Sequence, residues 1–271
     1  MKQPGGVVAG FDLVLLGDPV AHSLSPVIQQ AGLDAAGVMG TYRALRVDAN
    51  GFRRACVDLR AGRWRGANVT MPHKRLAFAE TDEWSTGAER SGSVNTIVVK
   101  DSRLVGHSTD IDGIRQVWQE AGLPLDAPVL VLGAGGAAAA ALVALDVSDL
   151  LISSRRWEAA QEVAATADVA VRPVKWGKVI AGAVVVNATP LGMKGETLPR
   201  GIVEQSAGLL DMAYSVQVTP AVRTACRAGL PHASGPDVLL AQATASFTLW
   251  TGLAAPSVAM RAALQKAQAT G

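Results

Sequence analysis

Apolar residues along this chain fall into two alternating rhythms. Short continuous runs bounded by Gly, Pro and Asp read as strands: residues 11–17, closed by Asp18-Pro19, then 41–47, 66–70 and 96–99. Between them lie stretches with helical spacing. Ser25-Pro26 opens one that runs to about Ala36; proline costs nothing in a first turn, where an N–H has no helical acceptor. Phe52, Ala55, Cys56 and Leu59 recur at i, i+3, i+4 and i+7 and predict a second helix with Cys56 on its apolar face. Ser108 or Thr109 caps a third, in which Ile111, Ile114, Trp118 and Ala121 share a face.

A linker follows, marked by Gly122-Leu123-Pro124 and Asp126-Ala127-Pro128. Beyond it, residues 129–132 are a continuous apolar run of the kind buried in parallel sheets. An Ala-rich helix comes next, then a strand at 150–153, a helix near 157–167, and strands at 184–186 and 209–211. Residues 237–252 and 256–267 are helical with no strand after them, and no internal repeat is visible. The alternation predicts an α/β chain of two units, each a parallel sheet with helices on both faces, the second beginning at the helix before the linker.

Composition narrows the class. A chain of 271 residues holds one large or two modest domains, and only 4% are aromatic, so the core is aliphatic. Lys and Arg number 25 against 23 Asp and Glu, a net charge of +2 that argues against a dedicated nucleic-acid or membrane-surface binder. Arg53, Arg54, Arg60, Arg63 and Arg65 read as the wet face of a helix and its loop. Cys56 and Cys226 form no C-x-x-C, and His22, His73, His107 and His232 have no metal-ligand spacing, so neither a disulfide framework nor a metal is expected. The first residues lack a signal-peptide pattern, and glycines break the most apolar stretch, 128–145. A soluble cytoplasmic protein is expected, as monomer or homodimer.

The apolar run at 129–132 leads into Gly133-Ala134-Gly135-Gly136-Ala137-Ala138, a G-x-G-x-x-A between strand and helix. Gly133 allows the tight turn, Gly135 lets the backbone approach a pyrophosphate, and Ala138 lets helix and strand pack closely. The helix N-terminus offers unpaired N–H groups and a partial positive charge to the phosphate. The following strand ends at Ser154-Arg155-Arg156, where an NAD binder would place Asp or Glu for the ribose hydroxyl. Arginines there suit a 2′-phosphate, so NADP is the cofactor favoured on charge grounds; Asp146 and Asp149 precede that strand at its other end.

Three polar clusters interrupt the apolar pattern of the first unit. Ser23-Leu24-Ser25-Pro26 reads as helix capping or as a pair of ligand hydroxyls. In Asn68-Val69-Thr70-Met71-Pro72-His73-Lys74, the lysine reads as an ordinary surface residue or a buried general acid or base. Asp110, in Gly106-His107-Ser108-Thr109-Asp110 after Val94-Asn95-Thr96, is a first-turn helix acid or a catalytic carboxylate.

Taken together, the ordered motifs resemble the shikimate dehydrogenase family over nearly the whole chain. They are Ser23-x-Ser25-Pro26, Asn68 through Lys74, Val94-Asn95-Thr96, Gly106 through Asp110 with Ser108 in place of Asn, and Gly133 through Ala137. Asn187-Ala188-Thr189 with Gly192-Met193, Asp211-Met212-x-Tyr214, Thr219-Pro220, and Gln242 with Phe247 and Trp250-x-Gly252 complete them. The resemblance implies reversible reduction of 3-dehydroshikimate to shikimate with NADPH, in aromatic amino-acid biosynthesis. It implies two α/β domains flanking a cleft: residues 1–109 bind substrate, completed by C-terminal helices 238–271, and residues 110–237 form a Rossmann-type NADP domain. It makes Lys74 and Asp110 the catalytic pair and gives the substrate to Ser23, Ser25, Thr70, Asn95, Tyr214 and Gln242. Met212 and Gly235 lie near the nicotinamide and Thr189 near the cofactor. Departures are Ser154-Arg155-Arg156 for Asn-Arg-Thr, Ala159 for a common Arg, and no Arg between Ala137 and Ala141. The alternatives are a quinate/shikimate or aminoshikimate dehydrogenase with NAD or relaxed cofactor use, against which Ser25 speaks mildly, or a catalytically silent NADP-binding regulator. Methylenetetrahydrofolate dehydrogenase shares the architecture but leaves Ser23, Ser25 and the Lys74–Asp110 pair unexplained.

Overall fold

Two six-stranded sheets carry the computed structural model, which describes residues 10–145, 147–166, 169–215 and 217–270. Residues 1–9, on which the leader expectation partly rests, Asp146 and the helix end expected at Ala167 lie outside the described residues. The first sheet is laid down by β1 (Leu13–Gly17), α1 (Ser25–Ala35), β2 (Tyr42–Arg46), α2 (Ala49–Arg60), β3 (Gly66–Val69), α3 (Lys74–Glu80), β4 (Glu83–Trp84), α4 (Thr86–Ser91), β5 (Thr96–Lys100) and β6 (Arg103–His107). Its strand order is β2-β1-β3-β5-β6-β4. Helix α5 (Thr109–Glu120) leads to the second sheet: β7 (Val129–Leu132), α6 (Gly136–Ala144), β8 (Leu150–Ser153), α7 (Trp157–Thr166), β9 (Arg172–Val174), β10 (Val184–Asn187), β11 (Gly208–Asp211), α8 (Pro220–Arg227) and β12 (His232–Ala233). That sheet runs β12-β11-β10-β7-β8-β9, and the chain closes with α9 (Gly235–Thr251) and α10 (Ser257–Thr270).

Every neighbouring pair in the second sheet is parallel, as the continuous apolar runs predict. The first sheet is mixed, which corrects the expectation of two parallel sheets: β5 runs antiparallel to both β3 and β6. The reason is local. Asp101 and Ser102, with φ of 49° and 61°, form a two-residue hairpin turn between β5 and β6. Strand β6, unread in the sequence, alternates exposed and buried positions from Arg103 and buries Leu104 and Gly106. The short strands β4, β9 and β12 give too few residues for a period to show. Helix α8 was signalled only by Thr219-Pro220, whose threonine hydroxyl accepts the Val222 N–H as N-cap.

Helices cover both faces of each sheet. On one face of the first, Val14, Leu16 and Val69 pack with Phe52, Cys56 and Leu59 of α2. On the other, Leu13, Leu15 and Tyr42 meet α1 and the returning helices through Leu240, Phe247, Trp250, Met260 and Leu264. The strandless tail therefore packs on the first layer, although no strand of that layer adjoins it in sequence. Helices α5, α6 and α9 share a core with Val129, Val131, Val184 and Val186 of the second sheet, so α5 and α9 span both halves. Of the basic residues on and after α2, Arg53, Arg60 and Arg63 pair with Glu80, Asp82 and Asp58 on the wet surface.

Phe247 is fully buried, and its ring meets Gly32 of α1 beside the Met260 sulfur. Phe247→Ala is expected to cost about 3–5 kcal/mol, read as a lower urea midpoint. An unchanged midpoint would contradict the tail's part in holding the first layer.

Candidate active site

Lys74 is the first residue of α3 and follows a turn closed by the His73 N–H on the Thr70 carbonyl. Its own carbonyl accepts the Val94 N–H at 3.0 Å, which fixes the start of its side chain. Asp110 lies in the first turn of α5, where the helix dipole favours an anion, and is 5% exposed. The Lys74 Nζ donates to Asp110 Oδ2 at 2.5 Å. Side-chain exposure is 17% and 7%, so Lys74 is not an ordinary surface lysine and Asp110 does more than complement a dipole. Removing either partner would strand a charge in a poorly solvated place.

Asn95 organises the pair. Its Nδ2 shares two hydrogens among Asp110 Oδ1, Thr109 Oγ1 and Gln242 Oε1 at 3.0, 3.0 and 3.2 Å. Its Oδ1 accepts the Thr109 N–H at 2.7 Å. Gln242 arrives on α9 because Gly113 of α5 has no side chain: a Cβ there would lie 3.0 Å from the Gln242 backbone nitrogen. Behind them, hydroxyls of Thr96, Thr109 and Ser246 lie within hydrogen-bond distance of one another, and Asn68 donates to Thr96 and Ser246. Tyr42 closes the chain with its hydroxyl on Asn68 Oδ1 at 2.7 Å. A buried polar network is stable only when its members are paired, and this one is nearly complete. Asn68 and Thr96 stood out as polar residues in apolar strands. Tyr42 and Ser246 carried no sequence signal, since only the tertiary fold brings them in. Ser108 occupies the N-cap of α5 but makes no capping bond; its buried hydroxyl has no partner among the described residues.

Ser25 is the buried first residue of α1, and its N–H donates to Ser23 Oγ at 3.3 Å. Tyr214 reaches the same corner, beside the Ser23 side chain and the Leu24 backbone. Burial pushes the Tyr214 phenol above its ordinary range, with Ser23 and Leu24 opposing, and burial pushes Tyr42 well above its own. Thr70, half-buried one residue past β3, lies against Gly17. The structure thus links Lys74, Asp110, Asn95 and Gln242 in one hydrogen-bonded chain and gathers Ser23, Ser25 and Tyr214 at a second corner.

The glycine turn is built as a cradle. Gly133 takes φ of +125°, and a Cβ there would lie 2.7 Å from the Ala188 carbonyl oxygen. Gly135 caps α6 without a side-chain bond and has no heavy atom within 4 Å of where its Cβ would stand. That leaves unpaired N–H groups facing space that a side chain would occupy, with half-buried Ala134 and Ala137 beside them and Ala138 fully buried. The Gly133 N–H donates to the Ser153 carbonyl at the end of β8, setting Ser154, Arg155 and Arg156 next to the turn. Both arginines are exposed, and among the described residues neither has a carboxylate partner. Thr189 stands beside Gly133 and donates to Asn187 Oδ1; Asn187 in turn donates to buried Asp211 at 2.8 Å. Met212 follows Asp211, and Gly235 starts α9 against the Ala213 carbonyl. Gly136, unlike Gly135, faces Lys74 and Ser93. This donor set, open cradle and pair of cations fit a phosphorylated dinucleotide. Among the described residues no group of His, Cys, Asp and Glu can hold a metal ion, and no helix is long and apolar enough to cross a membrane.

A six-stranded parallel sheet with a phosphate-type turn, facing a second α/β layer that holds a lysine–carboxylate pair, defines the class of two-domain α/β oxidoreductases. Comparison with known proteins narrows it. The family model described as "Shikimate dehydrogenase substrate binding domain" matches residues 15–97, and "Shikimate 5'-dehydrogenase C-terminal domain" matches residues 236–265. Shikimate dehydrogenase (NADP(+)) of Moorella thermoacetica is 37% identical over 285 residues, covering 98% of this chain and 95% of the relative. The Thermus thermophilus protein of the same name is 33% identical over 256 residues, covering 93% and 97%. A crystal structure of shikimate 5-dehydrogenase from Thermus thermophilus, in complex with NADP(H) and shikimate, matches with a TM-score of 0.85 at 32% identity, covering 95% of this chain and 99% of that one. The Mycobacterium tuberculosis enzyme matches with a TM-score of 0.81 at 31% identity, covering 94% and 99%. The chain belongs to the shikimate dehydrogenase family.

His107 ends β6 beside this site, and burial holds its imidazole below the ordinary 6.5, with Asp112 opposing. The unfolded chain therefore takes up that proton at a higher pH than the folded one, and folding stability falls as pH drops below 6.5. His107→Gln is expected to flatten the stability–pH curve in that window, measured by urea unfolding at several pH values. An unchanged slope would contradict the burial of the ring.

Proposed function

We propose that this chain interconverts 3-dehydroshikimate and shikimate with NADP, using Lys74 and Asp110 as its catalytic pair. In this reading residues 1–109 and 238–271 form the substrate domain, and residues 110–237 the cofactor domain. The observation that carries it is the 2.5 Å Lys74–Asp110 contact, held by Asn95 and Gln242 beside the first turn of α6.

When bound, NADPH supplies the hydride to the carbonyl carbon. The Lys74 ammonium neutralises the negative charge that develops on the carbonyl oxygen and delivers a proton to it. Asp110 keeps that ammonium charged and aimed, and Asn95 keeps Asp110 from turning. In the opposite direction Lys74 takes the hydroxyl proton. Ser23, Ser25, Thr70, Asn95, Tyr214 and Gln242 offer hydroxyls and amides to a small polyol carboxylate. The Tyr214 phenol is a donor near neutral pH, and burial raises its pKa further above the ordinary value. Such a site rejects analogues lacking a hydroxyl, because its own buried groups would be left unpaired. Gly133, Ala134, Gly135, Gly136 and Ala137 would hold the pyrophosphate. Ser154, Arg155 and Arg156 would hold the 2′-phosphate, Met212 and Gly235 would lie near the nicotinamide, and Thr189 near the cofactor.

Initial rates with shikimate and quinate, each with NADP+ and NAD+, are expected to favour shikimate with NADP+; a preference for quinate or NAD+ overturns the substrate or cofactor choice. Lys74→Ala is expected to lower kcat by about 10²–10⁴-fold while NADPH still binds. Wild-type turnover in that variant would remove Lys74 from the mechanism.

A further inference from the structure

The dinucleotide fingerprint needs glycine at the positions of Gly133 and Gly135 and a small residue at Ala138; it leaves the position of Gly136 free. Nothing in the local backbone asks for glycine there either. Gly136 is the first residue of α6, its φ is not positive, and alanine is the better helix former. Its surroundings are different. A Cβ built on Gly136 would lie 2.5 Å from Ser93 Oγ, 2.9 Å from Lys74 Cβ and 3.3 Å from Lys74 Cδ. The same construction on Gly135 meets nothing within 4 Å.

These contacts cannot yield cheaply. Lys74 Cβ is the fixed root of its side chain, not a flexible end, and the Lys74 carbonyl is tied to the Val94 N–H at 3.0 Å. Ser93 is fully buried, and its hydroxyl has no partner among the described residues, so it stands as packing against α6 rather than as part of the polar network. One residue further on, Arg75 reaches Glu162 of α7 at 3.5 Å, a second tie between the start of α3 and the far layer. The helix that offers its N–H groups to the cofactor therefore rests on the stem of the lysine that faces Asp110.

We propose that Gly136 is a positioning residue for the Lys74 ammonium: its missing side chain lets the first turn of α6 lie on the lysine stem, and that contact sets the aim of Lys74 at Asp110. Adjacent glycines then have separate duties, Gly135 keeping room for the ligand and Gly136 keeping room for Lys74. The catalytic part of this inference rests on the proposed role of Lys74; the packing part does not.

The test compares Gly136→Ala, Gly135→Ala and the double variant Ser93→Ala/Gly136→Ala by NADP+ titration, kcat for shikimate oxidation and ligand-free crystal structures. Gly136→Ala is expected to lower kcat by about tenfold or more and to move Lys74 Nζ out of hydrogen-bond reach of Asp110, with a loss of NADP+ affinity smaller than that of Gly135→Ala. Gly135→Ala is expected to show the converse, a loss of NADP+ affinity with the Lys74–Asp110 contact intact. The double variant, relieved of the tightest contact, is expected to recover part of kcat, and it carries the same readouts if Gly136→Ala yields no folded protein. Unchanged kcat and an intact pair in Gly136→Ala, or lost NADP+ affinity with an intact pair, would overturn the proposal. If wild type fails to oxidise shikimate, the role given to Lys74 fails, and the position of Lys74 in the Gly136→Ala crystal still decides the packing.

Discussion

An ammonium and a carboxylate brought together away from water lose hydration that their mutual attraction repays only when every remaining lone pair and proton is matched. Asn95 supplies part of that matching for the Lys74–Asp110 pair by donating to the second carboxylate oxygen of Asp110, and much of the surrounding architecture holds Asn95 in place. Asn95 is itself fixed by Thr109 and Gln242, and Gln242 reaches it because α9 returns from the second sheet and crosses α5 at Gly113. The long excursion of the chain through the cofactor layer thus ends by completing a site begun near its start.

The two layers divide the chemistry. The first supplies the charged pair and the hydroxyl corner of Ser23, Ser25 and Tyr214; the second supplies an anion cradle and the Arg155–Arg156 edge. Their junction at α6 is a direct packing contact, backbone against lysine stem, instead of a water-filled gap. In the proposed reading, this packing ties the position of the glycine turn to that of the Lys74 stem.

Much of this was legible in the sequence, for identifiable reasons. The second sheet was readable because strands buried on both faces, such as 129–132 and 150–153, are unbroken apolar runs. Asn68, Lys74 and Asn95 were visible because polar residues beside apolar strands need a purpose. The antiparallel half of the first sheet was hidden because Asp101-Ser102 lacks the glycine that usually marks a tight hairpin. Tyr42 and Ser246 were hidden because they join the network only after distant helices pack. The Ser108 hydroxyl, a candidate cap, makes no capping bond: the Ile111 N–H, which a cap would take, goes to the Ser108 carbonyl. The distinction between Gly135 and Gly136 depends on what lies across the layer boundary, which no local pattern records.

The most direct test of the central claim is a crystal structure of this protein with NADP+ and shikimate bound together. The account predicts Lys74 Nζ at about 2.6–3.2 Å from the hydroxyl oxygen that becomes the carbonyl, still in contact with Asp110. A complex in which another group or solvent meets that oxygen, with Lys74 turned away, would contradict it.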